Sequence, residues 1–178
     1  MTYSEASKRT AITRPKNTAA KPLRELVNLV DITGHVLHHG SGKDQAGTEL
    51  LRKQPHVIQV TEYDPNFTDE LDITIQFDTI VSIYVACVLP PVERAQMMLN
   101  IMRRLRHDGV LYMASRGAGD RSCRGTPYMD GRTTSIGTFQ TVHNAQSLEF
   151  ELSSYFPHTE TLYGAARSSN FVIVKATF

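Results

Sequence analysis

Cysteine is scarce, with only Cys87 and Cys123 in 178 residues. They form no CxxC pair and cannot make a metal site by themselves. The start of the chain shows no apolar signal core, so reduced thiols and a cytoplasmic location are expected. Long apolar runs are missing too. The stretch from Ile80 to Leu89, with Ser82 inside it, falls well short of the roughly 20 residues a bilayer-spanning helix needs, and no membrane partner is expected. Nor is there a surplus of charge of one sign. Nineteen Lys and Arg against 18 Asp and Glu leave a net charge of +1, which excludes a strongly basic nucleic-acid clamp and a disordered acidic chain alike. Internal repeats and low-complexity stretches are absent. What is present is 40% hydrophobic residues, enough for one compact domain over residues 19–178 behind a basic, flexible tail over residues 1–18.

Charge is uneven along the chain. Lys8, Arg9, Arg14, Lys16, Lys21 and Arg24 stand near the start against Glu5 alone, while Lys43 to Asp78 holds three basic and eight acidic residues. Arginine density rises again with Arg94, Arg103, Arg104, Arg106, Arg116, Arg121, Arg124 and Arg132. Such a run reads either as a solvated face and loop or as a phosphate-binding surface.

The hydrophobic pattern alternates between strand-like and helix-like segments. Leu23, Leu26, Val27 and Val30 recur at helical spacing after Pro22, which a first helical turn accepts. His35 to His39 reads as a short buried strand broken by Gly40 and Gly42, Asp44 to Lys53 as a helix, and His56 to Thr61 as a second strand. Tyr63-Asp64-Pro65-Asn66 ends that strand as a turn. Phe77 to Val85 is β-branched and almost continuously apolar, as a central parallel strand covered on both faces should be. A helix is expected from Val92 to Arg106, a strand from Gly109 to Ala114 and a helix from Asn144 to Tyr155, with strand-like runs at His158 to Tyr163 and Asn170 to Thr177. Between them, Arg116 to Gln140 is too long for a bare connector and reads as a candidate substrate loop. The order predicts an α/β fold: a Rossmann-like, mostly parallel sheet with helices on both faces and a C-terminal antiparallel hairpin.

Open parallel sheets bind ligands beyond the carboxyl ends of their strands, where the strand order reverses. The exit of the first strand reads His38-His39-Gly40-Ser41-Gly42-Lys43-Asp44, and glycines there let backbone amides approach a ligand. Asp64 follows Gly42 by 22 residues, close to the interval of about 20 at which a carboxylate meets ribose hydroxyls. Together they point to an adenosine site. A turn glycine pair with an Asx turn at Asp64 is the simpler alternative.

The stretches V-L-H-H-G-S-G-K-D, V-T-E-Y-D-P, F-D-T-I-V-S-I-Y-V and L-R-H-D-G-V-L-Y-M-A-S resemble the successive motifs of class I S-adenosylmethionine-dependent methyltransferases. A narrower resemblance, over roughly Arg9 to Phe156, is to a methyltransferase family associated with DNA phosphorothioation. It rests on R-T-A-I-T-R-P, Y-D-P, Y-V-A-C-V-L-P-P-V-E-R-A and D-G-R-T-T-S-I-G-T-F-Q. The resemblance implies S-adenosylmethionine as cofactor, with Gly40, Ser41 and Gly42 at its methionine part, Asp64 at its ribose, and the segment after Ile83 flanking its adenine and methyl group; Tyr84 is the residue chosen there. Three positions depart from the family pattern: His38 replaces the acid at the end of the first strand, Asp44 the third glycine, and Ala46 a later acid. A neutral His38 can accept one hydrogen bond from the cofactor's ammonium, whereas a charged one would repel it, so binding should weaken from pH 8 to pH 6. Asp44 can supply the missing carboxylate at a helix N-terminus. The simpler reading of His38 is a buried side chain bonded to backbone.

Other chemistry finds little support. Alternation puts His38 and His39 on opposite strand faces, so no shared metal is expected, and no His is tied to Cys123 as a nucleophile's base. The Asp/Asn-Pro-Pro-aromatic signature and the Pro-Cys nucleophile of DNA base methyltransferases are both absent. The reading is methyl transfer to an anionic acceptor, with nucleic acid among the candidates, and Arg116, Arg121, Arg124 and Arg132 facing it. No catalytic residue is identified. A cofactor-cleaving enzyme and a degenerate fold that binds protein or nucleic acid remain as alternatives, and the oligomeric state is left open.

Overall fold

The computed structural model describes Ala6, Arg9 and residues 18–72, 74–121, 123–166 and 168–178. Apart from Ala6, Arg9 and Thr18, the basic tail lies outside the described residues.

The parallel strands β1 (Thr33–His39), β2 (His56–Tyr63), β3 (Phe77–Ile83) and β4 (Leu105–Arg116) make up four of the six strands of the main sheet. The hairpin of β8 (His158–Tyr163) and β9 (Phe171–Thr177) completes it, with β9 antiparallel to both β4 and β8. The order across the sheet is β2-β1-β3-β4-β9-β8. Because side chains alternate along each strand, the central strands feed two core layers. Leu37, Ile80, Leu111 and Val174 turn one way, towards Met98 and Ile101 of α3 (Pro91–Arg104) and Leu148 of α4 (Ala145–Ser153). Val36, Val81, Tyr112 and Ile173 turn the other way, towards Leu23 and Leu26 of α1 (Lys21–Leu29) and Leu51 of α2 (Gln45–Arg52). Burial on both faces explains why β3 reads as a continuous apolar run.

Local chemistry fixes the helix starts. The Asp44 carboxylate accepts the Gly47 N–H at 3.1 Å and opens α2. Pro91 stands in the first turn of α3, and Asn144 and Ser147 exchange side-chain and backbone bonds in a capping box at the start of α4. Most boundaries differ from the sequence expectation by one or two residues, and two of the differences bear on the site and the sheet. β3 stops at Ile83 because Tyr84 has a φ of 63°, outside any strand. β4 starts at Leu105, directly after α3.

The segment Arg116 to Gln140 is not a bare loop. It contains a three-stranded antiparallel sheet of β5 (Thr126–Tyr128), β6 (Gly131–Thr133) and β7 (Phe139–Gln140). Tyr128 pairs with Gly131 across a two-residue turn in which Met129 has a φ of 49°. Asn or Gly usually marks such a turn, and methionine there hid the hairpin. No described helix is long and apolar enough to cross a membrane.

Candidate functional site

β1 lies between β2 and β3, so the chain leaves β1 in one direction and returns on its other side. This reversal opens a cleft at the carboxyl ends of the three strands. A cavity of about 780 Å³ occupies it, lined among others by His38, His39, Gly40, Ser41, Asp44, Asp64, Tyr84 and Arg116.

The loop after β1 is bound tightly to the end of β2. Gly40 and Ser41 N–H both donate to the Tyr63 carbonyl, at 2.7 and 3.2 Å, and Gly42 N–H donates to Asp64 Oδ2 at 3.0 Å. Gly40 has a φ of 68°, and a β-carbon on it would lie 2.1 Å from Val85 Cγ2, so only glycine fits between the two strand ends. Asp64 Oδ1 accepts the Asn66 N–H at 2.9 Å. The Asx turn is therefore present, yet each carboxylate oxygen keeps a further lone pair, and Asp64 lines the cavity. Ser41 is 2% exposed, and its hydroxyl is buried without a hydrogen-bond partner among the described residues. Such an orphaned group in a cavity wall suits a bound ligand's polar atom.

His38 and His39 point to opposite faces, as alternation requires. His38 Nδ1 lies 3.0 Å from Thr48 Oγ1, and His39 Nδ1 lies 3.1 Å from Ser82 Oγ. Thr48 gives its one hydrogen to Glu62, so His38 Nδ1–H donates to Thr48 and Nε2 is left as an acceptor. The simpler reading, a buried His bonded to backbone, gives way to a side-chain partner. Asp44 is its neighbour: a β-carbon on Gly47 would sit 2.5 Å from Asp44 Oδ2 and 3.0 Å from His38 Cε1. Burial pushes His38 down to about 4 even though Asp44 pulls the other way. His39 is likewise lowered to about 4 by burial, with His38 and Arg104 adding to the effect. Both rings stay neutral from pH 8 to pH 6, which corrects the expectation that His38 charges in that interval.

Tyr84 closes the far side. Its strained backbone is held by an N–H donated to the Ala114 carbonyl at 2.8 Å, and the Arg116 guanidinium lies 5.5 Å from its ring centroid. Burial is the main force that raises the phenol to about 12. Arg116 pairs with Asp120 at 2.7 Å. The other three predicted acceptor residues do not line the cavity. Arg121, Arg124 and Arg132 are exposed around the small sheet, where Arg124 donates to the Arg121 carbonyl and Arg132 to the Gly125 carbonyl. Sequence reasoning missed Lys21 and the α3 residues Glu93, Gln96, Asn100 and Arg104, which line the cavity. Their spacing of three or four residues marks one helix face, although nothing in the sequence says that a polar face turns inward.

A buried polar chain stands beside the cavity. Ser115 Oγ meets His143 Nδ1 at 2.6 Å, His143 Nε2 meets Glu151 Oε2 at 3.2 Å, and Glu151 Oε1 accepts Arg94 Nε at 2.6 Å. Arg94 also binds Asp130 and donates to the Leu89 carbonyl at 2.8 Å. The connectivity is that of a nucleophile, base and acid, but Ser115 has no exposure and no substrate can reach it. The chain is a structural clamp. Cys87 is buried and gives its thiol hydrogen to the Tyr84 carbonyl, while no cluster of metal-ligating side chains occurs among the described residues.

No protein-family model matches the chain, and no curated protein matches it in sequence. Solved structures do. A complex described as DhpI with SAM and HEP is 14% identical, with 97% of this chain and 93% of that one covered at a TM-score of 0.63. The 1,6-didemethyltoxoflavin-N1-methyltransferase of Burkholderia thailandensis, bound to 1,6-didemethyltoxoflavin and S-adenosylhomocysteine, is 14% identical, with 88% and 76% covered at 0.61. The glycopeptide N-methyltransferase MtfA, in complex with S-adenosylmethionine, is 13% identical, with 88% and 92% covered at 0.57. The chain has the Rossmann-like fold of these methyltransferases.

Proposed function

We propose that the protein is an S-adenosylmethionine-dependent methyltransferase that holds its cofactor in the cavity at the ends of β1, β2 and β3. The observation that carries this reading is the Gly40–Gly42 loop, bound to β2 around the orphaned Ser41 hydroxyl, with Asp64 in the same wall. Asp64 binds the ribose hydroxyls, and the neutral His38 with Asp44 receives the ammonium group. When bound, the cofactor supplies a methyl group already activated on sulfonium, so alignment is the protein's main contribution. Tyr84 and Arg116 form the wall nearest the transferable methyl.

The acceptor is an anion. Asp120 and Asp130 are engaged by Arg116 and Arg94, which leaves Arg121, Arg124 and Arg132 without a carboxylate partner among the described residues. Guanidinium groups suit phosphate or carboxylate oxygens. Nucleic acid fits that chemistry, through its phosphate oxygens.

Calorimetry with S-adenosylmethionine and S-adenosylhomocysteine tests the reading. Both should bind, and Asp64→Ala should weaken each by at least about tenfold, the loss of one charge-assisted hydrogen bond. Absence of binding at millimolar concentration would reject the cofactor and favour a non-catalytic binding module.

A further inference from the structure

Glu62 is the one carboxylate of β2, and it stands beside His38 in the parallel register of β1 and β2, so the two side chains share a sheet face. Helix α2 places Thr48 between them, with Thr48 1% and His38 3% exposed. Three elements thus meet in one chain of hydrogen bonds whose direction is fixed at its outer end. A carboxylate only accepts, so Glu62 takes the Thr48 hydroxyl hydrogen; the other acceptor in reach, the Asp44 carbonyl, lies farther off at 3.3 Å. Thr48 Oγ1 then has only lone pairs for His38 Nδ1, 3.0 Å away, and Nδ1 must carry the ring proton. Burial keeps the ring neutral, with its pKa down at about 4, so there is a single proton to place. His38 lines the cavity, and its Nε2, which has no hydrogen-bond partner among the described residues, is the ring nitrogen left to face it.

We propose, building on the cofactor site above, that Glu62 and Thr48 are positioning residues that lock His38 as its Nδ1–H tautomer, so that the bare Nε2 lone pair accepts a hydrogen from the cofactor's ammonium group. An ammonium offers three donors and no acceptor; a bare lone pair beside the Asp44 carboxylate receives it, whereas Nε2–H would set donor against donor. Asp44 supplies the charge and closes on His38 over Gly47, where a β-carbon would lie 2.5 Å from Asp44 Oδ2 and 3.0 Å from His38 Cε1. A neutral ring can do this only if its tautomer is imposed, and Glu62 imposes it from the neighbouring strand. The relay therefore selects a ligand that carries an amine over one that keeps the adenosine and lacks it.

Nitrogen NMR of the free protein tests the tautomer without any ligand. In histidine-labelled protein the ring resonances that vanish in His38→Gln belong to His38, and they should report a protonated Nδ1 and a bare Nε2. Glu62→Gln should reverse them, because its amide can donate to Thr48 and turn the hydroxyl hydrogen towards Nδ1. Thr48→Val keeps the shape and removes the acceptor; the ring proton should then leave Nδ1, where it would be buried without a partner, for Nε2 at the cavity. Thr48→Ser restores a hydroxyl and should restore Nδ1–H. Calorimetry tests the consequence with two ligands: S-adenosylhomocysteine, which carries the ammonium, and 5′-methylthioadenosine, which keeps the nucleoside and sulfur but has no amino-acid part. Glu62→Gln and Thr48→Val should weaken the first at least about tenfold and leave the second within about twofold. An Nε2–H tautomer in the wild type, or an Nδ1–H tautomer unmoved by both variants, would overturn the relay. Equal loss for the two ligands, or loss for neither, would overturn its link to the ammonium. A wild type that binds neither ligand would reject the cofactor site itself, and the ammonium contact with it, whichever tautomer the free protein shows.

Discussion

Two histidines held neutral in a cavity wall make the residue scale measurable. In the unfolded chain an imidazole titrates near 6.5, whereas burial holds His38 and His39 at about 4. The unfolded state therefore binds more protons between those values, and stability must fall as pH drops from about 6.5 to 4 while staying level above it. Each ring contributes up to about 3 kcal/mol, less where the two are coupled. Thermal unfolding followed from pH 7.5 to pH 4 should show this loss, and His38→Gln should remove about half of it, leaving the part that belongs to His39. Cofactor affinity, by contrast, should show no His38-dependent change between pH 8 and pH 6. Sequence reasoning put His38 at the end of β1, where it lines the cavity, but could not know its depth, because a pKa depends on neighbours such as Thr48 and Glu62 that arrive from other elements.

Between elements, Arg94 is the main polar tie. It is 4% exposed and joins α3 to Glu151 of α4, to Asp130 in the turn after β5, and to the Leu89 carbonyl. Arg94→Ala leaves Glu151 without its cation, and such a loss at a buried pair typically costs about 3–5 kcal/mol, with the lower end expected here because Asp130 is partly exposed. Denaturant unfolding should report that loss, and amide exchange across Thr126 to Thr133 should quicken as the small sheet loosens. In the sequence Arg94 is one arginine among many, and its role depends on residues 36 and 57 positions away. The main elements were legible because local signals agree: apolar periodicity, Pro91 and Asn144 at helix starts, and the continuous run of β3. The small sheet was not, since its strands have only two or three residues and its turn uses Met129 where a glycine signal would be expected.

Over the whole molecule, the proposed function assigns cofactor and acceptor to two surfaces: a cavity at the strand ends and an arginine-bearing sheet beside it. Arg121→Ala with Arg124→Ala should reduce the salt dependence of binding to an anionic acceptor such as single-stranded DNA, while S-adenosylhomocysteine affinity stays within about twofold. A titration at several salt concentrations, with calorimetry in parallel, checks both halves. The strand order also sets a timetable for synthesis. β9 lies between β4 and β8, so β8 emerges from the ribosome before the neighbour through which it joins the sheet. Until residues 171–177 are made, β4 presents a bare, apolar edge beside Leu111 and Met113, and helix α4 has only part of its floor. Such long-range pairing slows folding. Chaperone demand during translation should therefore peak just before β9 is released and fall once that one strand slides into the gap.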